Sequence, residues 1–220
     1  MTHFSDGLRV GDVFPNGLEP GVPLTPFFVY DVVPVALSAT AVCAAQPVGG
    51  AVNLTINGAS AAGGVATLDV PRAVSVVSSN AGDTTQTATV FGFDVYNQPM
   101  SETIAFNGTT TVNGQKAFAR VTRVAASAAL AGNASVGSTD ILGLPYRIVT
   151  RGAIQTFWDT AFVTTGTFAA ADLTSPATAT TDDVRGTFLP PSATNGTRRL
   201  VVWMRLNPTS QLTAYGVTQA

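Results

Sequence analysis

Charge is scarce in this chain. Asp, Glu, Lys and Arg make up 11% of its 220 residues, against about a quarter in an ordinary soluble domain. Cys43 is the single cysteine, which excludes an intrachain disulfide and a thiolate metal cluster. It lies in the apolar run Ala41-Val42-Cys43-Ala44-Ala45, where a buried, inert thiol is expected. His3 is the single histidine, so a Ser-His-Asp or Cys-His site would hang on a residue at the very start of the chain. Lys116 is the single lysine, and Gly114-Gln115-Lys116-Ala117 has neither the spacing nor the hydroxyl of a phosphate loop. The other cations are arginines, whose planar, weakly hydrated fork suits protein interfaces.

These shortages exclude function classes. Carboxylates such as Asp94, Glu102, Asp140, Asp159 and Asp182-Asp183 are the remaining catalytic material. No spacing pairs any two of them as the acid and base of a glycosidase, so they read as surface residues at turns. No loop has the ligand density of a calcium site. The expectation is a non-enzyme with no catalytic residues, no cofactor and no metal. A net charge of −2 and a pI near 5.2 provide no field to draw in nucleic acid or anionic lipid, and neither is expected as a partner. Residues 27–45 are largely apolar, but Asp31 and Pro34 interrupt them, which favours buried strand over a membrane span. The first residues lack a basic start followed by an apolar stretch, so synthesis in a cytoplasm is expected.

What the chain has in quantity is apolar and turn-forming residues. Hydrophobic residues make up 45% and mean hydropathy is +0.29, more apolar surface than one small sandwich usually hides, which points to burial against other subunits. Residues 1–26 alternate Pro15, Pro20, Pro23 and Pro26 with Gly7, Gly11, Gly17 and Gly21, a mixture that forbids helix. Phe4, Val10, Val13, Phe14 and Leu18 are interspersed. An extended N-terminal arm laid on a neighbouring surface, or a loop packed on its own domain, fits this composition equally.

From residue 27 the chain reads as strands and turns, and four of its five Asn-Gly pairs fall there as hairpin signals. Strands are predicted at roughly 27–37, 51–57, 65–69, 73–79, 87–96, 100–106, 109–112, 116–124, 145–151, 154–164, 199–206 and 212–218. One or two helical turns are the most that Val124–Ala131 can support. Trp158 and Phe162 are placed together in the core. On 199–206, Leu200, Val202, Met204 and Leu206 form an apolar face, opposite Arg199, Trp203 and Arg205, which offers stacking of a cation on a ring, internally or against a partner. The fold class expected is all-β: a jelly-roll-like β-sandwich over 27–220 behind an arm over 1–26. Within it, 87–124 is expected to be a meander of consecutive antiparallel strands.

Five stretches carry a resemblance: Gly92-Phe93-Asp94-Val95-Tyr96, Met100-Ser101-Glu102-Thr103-Ile104, Val112-Asn113-Gly114-Gln115-Lys116-Ala117-Phe118, Leu142-Gly143-Leu144-Pro145-Tyr146-Arg147 and Asp183-Val184-Arg185-Gly186-Thr187-Phe188. Together, over roughly residues 87–190, they resemble virion structural proteins of tailed bacteriophages, above all capsid decoration or cement proteins. The resemblance implies a β domain on the outer capsid surface that clamps neighbouring subunits of the major capsid protein, as a homodimer or homotrimer, with no catalytic residues. Placement at the neck or tail as an adaptor or fibre subunit is the structural alternative. A carbohydrate-binding sandwich is the alternative of another class, thinly supplied with exposed aromatics. The interface residues expected are Phe4, Val10, Val13, Phe14, Leu18, Arg199, Trp203 and Arg205. Deleting residues 1–25 is expected to leave a folded domain with sharply reduced occupancy on particles, measured by co-sedimentation; full occupancy would refute the arm's role.

Overall fold

The computed structural model describes residues 27–172, 174 and 182–205. The arm over 1–26 and the strand expected at 212–218 lie outside the described residues. The rest is the expected all-β sandwich: curled antiparallel sheets, with a 3₁₀ turn at Arg151–Ala153 as the helical element among the described residues. None of their helices is long and apolar enough to cross a membrane.

In chain order the strands are β1 (Phe27–Val32), β2 (Cys43–Pro47), β3 (Asn53–Leu54), β4 (Ala61–Ala62), β5 (Val65–Ser78), β6 (Thr87–Phe93), β7 (Pro99–Ala105) and β8 (Val112–Asn113). They continue as β9 (Phe118–Ala126), β10 (Asn133–Gly143), β11 (Ile154–Trp158), β12 (Ala161–Val163), β13 (Thr167–Ala169), β14 (Thr187–Leu189) and β15 (Leu200–Arg205). A small sheet has the order β1-β15-β11-β12, and the large one runs β13-β14-β10-β5-β9-β6-β7, with β2, β3, β4 and β8 added at its flanks.

Several expected boundaries shift for identifiable reasons. Strands predicted at 65–69 and 73–79 are one 14-residue strand, β5, continuous through Pro71. Its pairing with β9 slips between Thr67 and Arg72, so the proline sits at an irregularity, where a missing N–H is tolerated. β10 was not expected, because Ser135, Gly137, Ser138 and Thr139 give it little β-propensity. It is central, paired with β5 on one side and with β2 and β14 on the other, and burial of both faces erases the alternation that marks a strand. The helical turns considered at 124–131 are replaced by the end of β9. Residues 145–150 form no strand. The meander is also corrected: β6 lies between β7 and β9, while β8 crosses to pair with β5.

Two apolar clusters fill the molecule. One lies inside the curled large sheet around Val76, Val90, Phe106, Phe118, Val121 and Val136. The other lies between the two sheets, where Leu142, Ile148 and Phe188 meet Ile154, Trp158, Leu200, Val202 and Met204. The expected apolar face of β15 is thus the inner face of the small sheet, with Leu200, Val202 and Met204 all fully buried.

The segment that leaves β1 for β2 is fastened at Val35. Its N–H donates to Asp69 Oδ2 at 2.8 Å, and its carbonyl accepts from Arg72 Nη1 and Nη2 at 3.2 and 3.1 Å. Arg72 is fully buried and also pairs with Asp69 at 3.0 Å. Because the Asp69 side chain is 26% exposed, the loss is that of hydrogen bonds to a charged group, about 1.5–3 kcal/mol. Arg72→Met is therefore expected to lower Tm by roughly 3 °C or more for a domain of this size, readable in a thermal melt; an unchanged Tm would contradict the clamp.

Candidate functional site

Among the described residues, the outer face of the small sheet gathers three of the most exposed large apolar side chains, Val29, Phe162 and Trp203. Alternation along β11 sends Ile154, Thr156 and Trp158 inward, so Gln155 and Phe157 point outward. Asp159 and Thr160 then adopt φ of 51° and 73° and reverse the chain in two residues. β12 returns with Phe157 opposite Phe162 and Trp158 opposite Ala161. This corrects the expected core placement of Phe162: Trp158 is buried and donates its Nε1–H to Ser192 Oγ at 2.8 Å, while Phe162 is 57% exposed. A single strand over 154–164 would put both on one face; the turn puts them on opposite faces.

On β15 the same alternation sets Trp203 outward, 45% exposed, beside Val29 of β1, 62% exposed. The rings form a ladder across three strands. Phe162 to Phe157 is 5.6 Å between centroids, and Phe157 to Trp203 is 5.4 Å, both tilted or edge-on as ring quadrupoles prefer. Val29 extends the ladder to the fourth strand, so an apolar stripe crosses the whole sheet.

Of the expected interface residues, Arg199, Trp203 and Arg205 share this face, and Phe4, Val10, Val13, Phe14 and Leu18 lie outside the described residues. Arg199 reaches across to β1 and pairs through two nitrogens with the Asp31 carboxylate, whose bonds from the guanidinium hold that carboxyl below the usual range. The ring against Trp203 is Phe157. Elsewhere the molecule caps its outward rings: on the large sheet Arg123 lies 3.5 Å from the centroid of Phe91, and Arg120 5.0 Å from that of Phe93. Phe157 and Val29 were not singled out from sequence, and Phe162 was placed in the core. The signal that finds them is the inward triplet Ile154, Thr156, Trp158 followed by a polar turn at 159–160.

A second feature is buried rather than exposed. Asp94, Glu102 and Asp183 were expected at the surface as turn aspartates and a strand glutamate; all three are buried, along with Lys116 and Arg185. They are held because their oxygens satisfy backbone N–H groups that would otherwise be orphaned. Asp94 Oδ1 accepts from Tyr96 N and Gln98 N at 2.8 and 2.9 Å. Glu102 accepts from Gln115 N and Lys116 N, and Asp183 from Ala117 N and Arg185 N at 2.9 and 2.8 Å. Arg185 pairs with Asp94 at 2.9 Å and stacks 5.5 Å from the Tyr96 ring centroid. Lys116 Nζ donates to Ser101 O, and the Tyr96 hydroxyl to Pro145 O. Each of the five stretches quoted for the phage resemblance therefore supplies a member of this node.

No group of three His, Cys, Asp or Glu among the described residues is placed to hold a metal. Burial pushes the Cys43 thiol up to about 12, which suppresses its thiolate. Compared with known protein families, with curated proteins and with solved structures, the chain finds no match.

Burial also raises Glu102 from 4.5 to about 7, against the pull of its two N–H donors and Lys116. A folded-state value above the unfolded one means that the native state holds the extra proton between about pH 4.5 and 7. Its stabilising contribution is complete below that window and falls as pH rises through it. Glu102→Gln, which is neutral throughout, is expected to flatten this segment of the Tm–pH curve. An unchanged slope between pH 5 and 7.5 would contradict the assignment.

Proposed function

We propose that this chain is a structural protein of a tailed-phage particle, a decoration or cement protein that bridges subunits of the major capsid protein on the outer shell. The observation that carries the reading is the aromatic stripe Phe162–Phe157–Trp203–Val29 on the outer face of the small sheet. Large rings left uncovered at the centre of a rigid sheet have the composition of interface hot spots. The scarcity of charge, the net charge of −2 and the resemblance over 87–190 support the same assignment. A slightly acidic protein suits the outside of a shell better than its DNA-facing interior. The same surface serves contacts between copies in a homodimer or homotrimer. The buried polar node gives this role rigidity: it ties the β6–β7 turn, the approach to β9 and the approach to β14 into one unit without adding a reactive group.

The reading is non-enzymatic, with no cofactor, and sets the chain on the virion after synthesis in the host cytoplasm. Substituting Trp203→Ser and Phe162→Ser together leaves both core clusters intact, so the domain is expected to stay folded with a modest fall in Tm from the lost ring contacts. Loss of two anchors is expected to weaken binding of the chain to isolated heads of the encoding phage by roughly 30-fold or more, measured by co-sedimentation. Unimpaired binding by a folded double variant would sink the proposal.

A further inference from the structure

We propose that the outer face of the small sheet is the receptor for residues 1–26 of a neighbouring copy, so that copies are linked by exchanged arms. The inference rests on reading this face as a protein-contact surface; attachment to a capsid is not required for it.

Length is the first argument. Residues 1–26 lie outside the described residues and enter the fold at Phe27, the first residue of β1, which is an edge strand of this same sheet. Four strands spaced about 4.8 Å apart are crossed by about six extended residues at roughly 3.3 Å each. Twenty-six residues reach up to about 85 Å when extended, far more chain than the sheet at its own root takes up. A second copy is within that reach.

Chemistry is the second argument. The arm places Phe4, Val10, Val13, Phe14 and Leu18 among three acids, Asp6, Asp12 and Glu19, and a single arginine, Arg9. The receiving face presents a ladder of rings beside Val29, bordered by the Arg199–Asp31 pair. An apolar segment thus meets an apolar stripe, and burial favours their union. Exchange also multiplies contacts, since a copy tethered at one site is held at high effective concentration for the next.

The test uses the full chain. A photoreactive benzoylphenylalanine replaces Phe14, and equal amounts of ¹⁵N-labelled and unlabelled protein are refolded together, irradiated and digested. The result expected is a cross-link from position 14 to peptides carrying β11, β12 or β15, with about half of the products pairing one heavy and one light chain, as random exchange between copies requires. Adding Trp203→Ser is expected to cut that product roughly tenfold. Cross-links confined to chains of one isotope, cross-links elsewhere on the surface, no cross-link, or a yield indifferent to Trp203→Ser would each overturn the proposal. Loss of the cross-link with head binding intact overturns the exchanged arm alone. A cross-link in a protein that binds no head overturns the capsid reading alone.

Discussion

A β-sheet has two faces, and this chain has too few charged side chains to solvate all those it builds. The large sheet meets the constraint by curling, so that one face becomes an enclosed core, and by laying Arg120 and Arg123 over the phenylalanines of its outer face. The small sheet buries its inner face against the large one and, among the described residues, has no arginine stacked over the ladder outside. With 11% charged residues, arginines spent on one surface are absent from another. The exposed stripe is therefore a consequence of composition as much as of topology.

Around this constraint the polar groups that are buried act as fasteners. Arg72 and Asp69 hold both backbone groups of Val35 and so fix the strap between the two sheets. The node of Asp94, Glu102, Lys116, Asp183 and Arg185 does the same for segments distant in sequence. Its carboxylates lie beside Lys116 and Arg185, the pairing that a low-dielectric interior requires. Such networks specify one arrangement of loops when fully satisfied.

The all-β class and most strands were legible because Thr, Val and Phe alternate in them and Asn-Gly marks turns. The inner and outer faces of β15 could be read residue by residue for the same reason. β10 was not legible: a central strand of small polar residues has no alternation to detect, and only its neighbours on both sides make it a strand. Phe162 was misplaced because a two-residue turn at Asp159-Thr160 lacks glycine, the usual signal for positive φ. The buried carboxylates were misread as surface turns because their function, accepting backbone N–H bonds from segments up to 66 residues away, is tertiary.

If the small sheet's outer face is a protein contact, its rings are shielded wherever the chain is assembled. Hydroxyl-radical footprinting of Trp203 and Phe162 reads that shielding, comparing particles of the encoding phage, the proposed assembly, with the purified chain. Strong protection of both rings in the particle, with Val29 following them, is expected. Equal oxidation in the two states would refute the contact.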